Sequence, residues 1–377
     1  MASKKLKLGI VGGGPDSWIG HVHRIASRFD NQYEIVAGVF SRNIKKSIEF
    51  GKKIGLEESR CYSNYKLMAE CEAKLKDKID VVSIMTPPGS HQIIAEKFID
   101  INVNIISDKP FAGNLIQAKS LIKKIKSNKK IKYALTHNYS AYPMVREAKM
   151  LIEKGKIGKI EHINFEYIQD WTEGKKINQK NSKKIFGWKL DKKIAGSSTV
   201  LNELGSHGYH LALYISGLKA KRVFAEIDQI SKKINMDSNA QVMICFENGS
   251  KGIFWTSCVA KGGVYGLRIR IFGSKGSLEW VQNDPTYLRF NPSRGAVKIL
   301  ERGFHNANFS KNFSRIKYGH PEGYLDAFSN IYKEFAKSIK SKSKNRYFYP
   351  NENEGLETAK FIDACKKSNR KKKWVNL

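Results

Sequence analysis

Three short constellations in this 377-residue chain have residue types and spacings suited to moving a proton and a hydride. The first is Glu203, His207 and His210, whose i, i+4 and i+7 spacing puts all three on one face of an expected helix, about Glu203–Ser216. An imidazole titrates near neutrality, so a histidine here can take an alcohol's proton as hydride leaves the carbon. Glu203 either orients His207 or hydrogen-bonds a substrate hydroxyl. The second is Asp108-Lys109-Pro110, where an ammonium can hydrogen-bond that oxygen, stabilise developing alkoxide charge and lower the histidine's proton affinity. The third is a glycine-rich turn, Gly12-Gly13-Gly14-Pro15-Asp16-Ser17-Trp18-Ile19-Gly20. Plainer readings stand beside the first two. A lysine before proline at a strand end is commonly just solvated, and paired histidines are often satisfied partners on a half-buried helix. Glu203, His207 and His210 together are also a conceivable metal set, but H-E-x-x-H is absent and no metal site is expected.

The glycine turn sits between an apolar strand, Lys7–Val11, and a helix-like stretch from about Gly20 to Phe29. Glycines there allow a tight turn and close approach of the backbone to a pyrophosphate, which the helix N-terminus at Ile19 then stabilises. Gly12 and Gly14 match the first two glycines of G-x-G-x-x-G. Ser17 occupies the third place and Gly20 comes three residues later, so the turn is extended. At the end of the second strand, where an acidic ribose reader favours NAD, the chain has Ser41-Arg42. A guanidinium pairs well with a 2′-phosphate, so the cofactor is expected to be NAD(P) with a lean to NADP. Alternatively, Arg42 stacks on the adenine and tolerates either form.

The positioning elements follow from hydrophobic pattern. Strand-like runs at Lys7–Val11, Glu34–Phe40, Val81–Met85, Val103–Ser107 and Lys132–Thr136 alternate with amphipathic stretches, the signature of a parallel sheet covered on both faces. Right-handed crossovers make this a doubly wound α/β domain, expected over residues 1–137. Thr86-Pro87-Pro88 ends the third strand and His91 follows it. By type this is a strand terminator, and in such a fold it lies where the nicotinamide half passes. Beyond it, residues 138–377 read as an α+β domain on a large, mostly antiparallel open sheet. Its strand candidates run from Ile160–Tyr167 to Val297–Leu300, and two helices close the chain. Asn138 and Tyr139 open this part as core caps or substrate contacts. Trp171 and Trp188 flank a polar loop, Thr172–Lys184, and either is buried or stacks on a sugar ring.

Composition bounds the rest. Lys+Arg number 67 against 35 Asp+Glu, a net charge of +32. The lysines are spread over most elements and no nucleic-acid-binding motif accompanies them, so a solvated basic surface is expected and a nucleic-acid partner is not. Five widely spaced cysteines, no apolar run near bilayer length and no signal-peptide pattern lead to the expectation of a cytoplasmic protein without membrane contact.

The glycine turn, Thr86-Pro87-Pro88-Gly89-Ser90-His91, Asp108-Lys109-Pro110 and Glu203-Leu204-Gly205-Ser206-His207, in that order, resemble the Gfo/Idh/MocA oxidoreductase family over almost the whole chain. Trp188-Lys189, His137-Asn138-Tyr139 and Gly319-His320-Pro321-Glu322-Gly323-Tyr324 are similar to one branch of it. The resemblance implies NAD(P)-dependent hydride transfer at a secondary hydroxyl of a sugar, inositol or glycoside. It makes Lys109 the lysine of an E-K-P signature, with Asp108 in place of Glu. It makes His207 the catalytic histidine of D-x-G-x-H, with Glu203 in place of Asp, and His210 a polar substrate ligand. It also implies a homodimer or homotetramer formed through the C-terminal sheet. Two other outcomes are compatible with the same residues: a dinucleotide-binding sensor without turnover, and an NAD-dependent glycosidase.

Overall fold

The computed structural model describes residues 4–171, 187–196, 198–231, 236–263, 266–304, 307–341 and 346–377. The polar loop expected over Thr172–Lys184 lies outside these residues. The chain forms two compact units. The first comprises Met1–Asn138 and Leu325–Leu356, the second Tyr139–Tyr324 and Glu357–Leu377.

In the first unit, five parallel strands lie in the order β2-β1-β3-β4-β5. They are β1 (Leu6–Gly12), β2 (Tyr33–Val39), β3 (Val81–Met85), β4 (Asn104–Ser107) and β5 (Tyr133–Leu135). Every residue of β3 is buried, as a strand covered on both faces requires. The crossovers include α1 (Trp18–Phe29), α2 (Ile44–Lys53), α3 (Tyr65–Lys74), α4 (His91–Asp100) and α5 (Leu115–Ser127). α1 follows the glycine turn and is capped by Ser17, whose Oγ accepts from the Gly20 N–H at 3.1 Å. The single cut expected after residue 137 misses one feature, the return of Leu325–Leu356 to this unit. The reason is a buried polar seam. The Tyr33 hydroxyl donates to the Tyr332 carbonyl at 2.8 Å, the Tyr332 hydroxyl meets His23 and Ser83, and Lys340 Nζ donates to Gln32.

The second unit is built on a nine-stranded sheet in the order β13-β12-β11-β10-β6-β9-β8-β7-β14. Its strands are β6 (Ile160–Ile168), β7 (Ala220–Asp228), β8 (Asn239–Phe246), β9 (Lys251–Ser257), β10 (Gly266–Gly273), β11 (Gly276–Val281), β12 (Tyr287–Pro292), β13 (Lys298–Glu301) and β14 (Val375–Asn376). All neighbouring pairs are antiparallel except β6 with β9. Along β6, Ile163, Phe165 and Tyr167 are buried while His162, Asn164 and Glu166 are partly exposed, so one face is covered. Helices α6 (Pro143–Glu153) and Ser206–Ser216 pack in this unit. The latter does not begin as an α-helix at Glu203. A π turn, Leu201–Gly205, precedes it. The wider turn changes the angular step per residue, so the α-helical spacing expected between Glu203 and His207 does not hold across it.

Candidate functional site

The glycine turn is shaped by how little room it leaves. Gly12 has φ +92°, and a Cβ there would lie 2.5 Å from the Met85 carbonyl oxygen. Gly14 faces the Phe40 carbonyl just as closely. The third glycine's packing role passes to Gly20, where a Cβ would lie 2.4 Å from the Gly13 Cα. The extended spacing therefore preserves helix-to-turn contact by moving it one turn along α1. Arg24, also on α1 and buried, donates from Nη1 to the Gly13 carbonyl at 2.5 Å and lies 4.9 Å over the Phe50 ring. The displaced glycine is the sequence signal for the role of Gly20, whereas no motif in the sequence marks Arg24. This backbone, with the N-terminus of α1 at Ile19, fits a dinucleotide pyrophosphate. Gly20→Ala is expected to weaken NAD binding by roughly tenfold or more, because backbone rather than a flexible side chain opposes the new Cβ. Titration of NADH fluorescence measures it, and unchanged affinity would remove Gly20 from the turn.

After β2, Ser41 accepts from the Asn43 N–H at 3.1 Å and Arg42 is exposed. Thr86 and Pro87 leave β3, and Thr86 Oγ1 accepts from Ser90 Oγ at 2.8 Å. His91 is fully buried. Its Nδ1 lies 2.8 Å from the Pro110 carbonyl oxygen and its Nε2 2.7 Å from that of Thr86, so it clasps the exits of β3 and β4. Burial pulls its pKa down, against the opposing pull of the carbonyls and Asp108. Asp108 follows β4, and its Oδ1 accepts from the Lys109 N–H at 2.9 Å and from Thr136 Oγ1 at 2.8 Å. Burial raises the Asp108 carboxyl. His23, Lys109 and Thr136 outweigh it and hold the group well below the usual carboxylate range. The Lys109–Pro110 peptide bond is cis. Asn138 closes this unit fully buried, with no hydrogen bond from its side-chain amide among the described residues.

In the second unit, His207 is buried on the first turn of the Ser206–Ser216 helix. Its ring meets Tyr139 edge-on at 4.8 Å between centroids and Tyr167 at 6.1 Å. The two phenols are joined, Tyr139 Oη to Tyr167 Oη, at 2.8 Å, and Gln169 Nε2 donates to Tyr167 Oη at 3.1 Å. Burial pushes Tyr139 up and Tyr167 up to about 12, so both stay protonated at neutral pH. Glu203, in the π turn, accepts from Lys189 Nζ at 2.9 Å. That ammonium lies 5.0 Å from the Trp171 ring and 5.9 Å from that of Trp188, which is 38% exposed. Asp237 anchors the start of this helical segment. It accepts from the Thr199 and Val200 N–H groups at 2.9 and 3.1 Å, and from Ser198 Oγ. His210, also buried on this helix, stacks on Tyr214 with ring centroids 6.1 Å apart. Tyr139, Glu203 and His207 thus sit with Tyr167, Gln169 and Lys189. Tyr167 and Gln169 carry no sequence signal of such a place, because a tyrosine near the end of a covered strand reads as core. Among the described residues no group of His, Cys, Asp and Glu forms a metal site.

Residues 6–137 match the model described as oxidoreductase family, NAD-binding Rossmann fold, and residues 145–279 that of the GFO/IDH/MocA C-terminal domain. The uncharacterized oxidoreductase YfiI of Bacillus subtilis is 33% identical over 389 residues, covering 100% of this chain and 98% of its own. The chain belongs to the Gfo/Idh/MocA oxidoreductase family. Solved oxidoreductase structures have the same fold. A Sinorhizobium meliloti oxidoreductase superimposes with TM-score 0.89 at 38% identity over 99% of each chain. An Azotobacter vinelandii inositol dehydrogenase homolog, complexed with NADH and myo-inositol, superimposes with TM-score 0.90 at 28% identity over 100% of this chain and 98% of its own. Residues 6–137 are thus this family's NAD-binding Rossmann domain. No described helix is long and apolar enough to cross a membrane.

Proposed function

We propose that this Gfo/Idh/MocA protein is a dehydrogenase of a cyclic polyol or sugar, oxidising a secondary alcohol with NAD(P). The observation that carries the reading is the surroundings of His207. The neighbouring phenols are held neutral by burial, so of the three packed rings the imidazole is the one with a nitrogen lone pair to take a proton. A bound nicotinamide would supply the hydride acceptor. His207 accepts the hydroxyl proton. The Lys109 ammonium stabilises negative charge as it develops on the alcohol oxygen. Tyr139 and Tyr167 hold the imidazole's ring plane. The Glu203–Lys189 ion pair offers an acceptor and donors to neighbouring hydroxyls, and exposed Trp188 offers an apolar face for a sugar or polyol ring. A relative solved with NADH and myo-inositol supports that substrate class.

The test is cofactor reduction, followed at 340 nm, against a panel of inositols, sugars and glycosides with NAD and with NADP. Turnover on at least one secondary polyol is expected. Dinucleotide binding with no turnover across the panel would overturn the reading, as would release of aglycone without net NADH. Arg42 is proposed as the reader of a 2′-phosphate. Arg42→Ala should raise the KM for NADP by roughly tenfold and leave that for NAD nearly unchanged. Equal changes for both would remove the lean to NADP.

A further inference from the structure

We propose that His23 is a positioning residue: it fixes the Asp108 carboxylate and, through it, the main chain of Lys109. The functional part of this rests on the role given to Lys109 above. His23 is on α1, the helix that starts at the glycine turn, and is 1% exposed. Its Nδ1 is held by two hydroxyls, Tyr332 Oη at 2.8 Å and Ser83 Oγ at 3.2 Å, which themselves lie 2.8 Å apart. The edge of Phe328, 5.2 Å between centroids, restricts the ring from another side. Nε2, buried and without a hydrogen-bond partner among the described residues, lies 3.9 Å from Asp108 Oδ1, within ion-pair reach of it. The same oxygen accepts the Lys109 N–H and the Thr136 hydroxyl.

The arrangement has the logic of a carboxylate–imidazole couple used for orientation, since a third group sets the ring and the ring sets the charge. A buried carboxylate costs free energy unless cations and donors face it. Around Asp108, whose side chain is 15% exposed, these are His23 on α1, Thr136 beyond β5 and Lys109 beside it, and its charge is also felt by Tyr332, on the helix Tyr324–Lys340, and by His91 on α4. The short side chain of Asp108 lets one oxygen bond the next residue's N–H while also reaching Thr136. Loosening the carboxylate therefore frees the peptide that carries the lysine, while the glycine turn keeps its own contacts through Gly20 and Arg24.

His23→Gln and Thr136→Val test this in the full-length protein, the second being close in volume and removing the other side-chain group at the same carboxylate oxygen. Hydrogen exchange at the Lys109 amide, resolved by fragmentation mass spectrometry, should become about tenfold faster in both. Steady-state kinetics should show kcat about tenfold lower with KM for NAD within about twofold. Unchanged exchange in both variants would overturn the proposal. So would a raised KM for NAD at constant kcat, which would assign His23 to the cofactor turn instead. Absence of turnover in the unaltered protein would defeat the dehydrogenase reading, and the exchange rates would still decide whether the clasp exists.

Discussion

Lys109→Met loses turnover by about a thousandfold while its affinity for NAD stays within roughly threefold. Methionine matches the length of the lysine stem and removes only the charge and its donors. Alcohol oxidation passes through a state in which the oxygen has begun to give up its proton while hydride departs, so negative charge gathers there. A positioned ammonium is worth most at that moment and little in the ground state, which places the loss in kcat rather than in binding. The dinucleotide half is untouched, because Gly12, Gly14 and Gly20 shape their turn by backbone contacts on other elements. Asp108 keeps its bond to the residue's N–H, which any side chain at that position retains. The check is kcat and KM on the best panel substrate beside an NADH fluorescence titration. Normal turnover in the variant would end the mechanism given to Lys109.

The second large effect concerns stability. Arg302 is 1% exposed and follows β13. Its Nη1 donates to Glu322 Oε1 and to the Ile316 carbonyl, both at 3.0 Å. Its Nη2 donates to the carbonyls of Lys317, at 3.1 Å, and His320, at 2.5 Å. The same glutamate oxygen accepts the N–H groups of Arg315 and Ile316. One guanidinium therefore holds the segment before the helix Tyr324–Lys340 in place, using the fork geometry that lysine lacks. Arg302→Leu leaves a buried carboxylate without its cation and three carbonyls without donors. The expected cost is about 3–5 kcal/mol, read as a melting temperature lower by on the order of 10 °C in a calorimetric scan. A shift within about 2 °C would show that the segment is held by other contacts.

Much of the fold was legible in the chain. Near-continuous apolar runs such as Val81–Met85 identified covered parallel strands, and the alternation in Ile160–Tyr167 identified a sheet with one covered face. These patterns are local consequences of which side chains meet water, so a sequence carries them directly. The return of Leu325–Leu356 to the first unit was not legible. Its helix has an ordinary amphipathic pattern, and nothing in that pattern says which apolar surface it will cover.

The candidate site divides the same way. Glycine spacing and the order of Lys109 and His207 are properties of the covalent chain, and they sufficed to point to a dinucleotide and to acid–base chemistry. The neighbours that give those residues their character come from far away in sequence: Tyr167 beside His207, Lys189 on Glu203, and His23 and Thr136 around Asp108. A π turn also rotated Glu203 out of the simple helical register. Residue types and spacing set which chemistry is available, because they are written in the order of the chain. Burial, ring packing and the partners of each polar atom belong to tertiary structure alone, since they depend on which distant segments the core brings into contact.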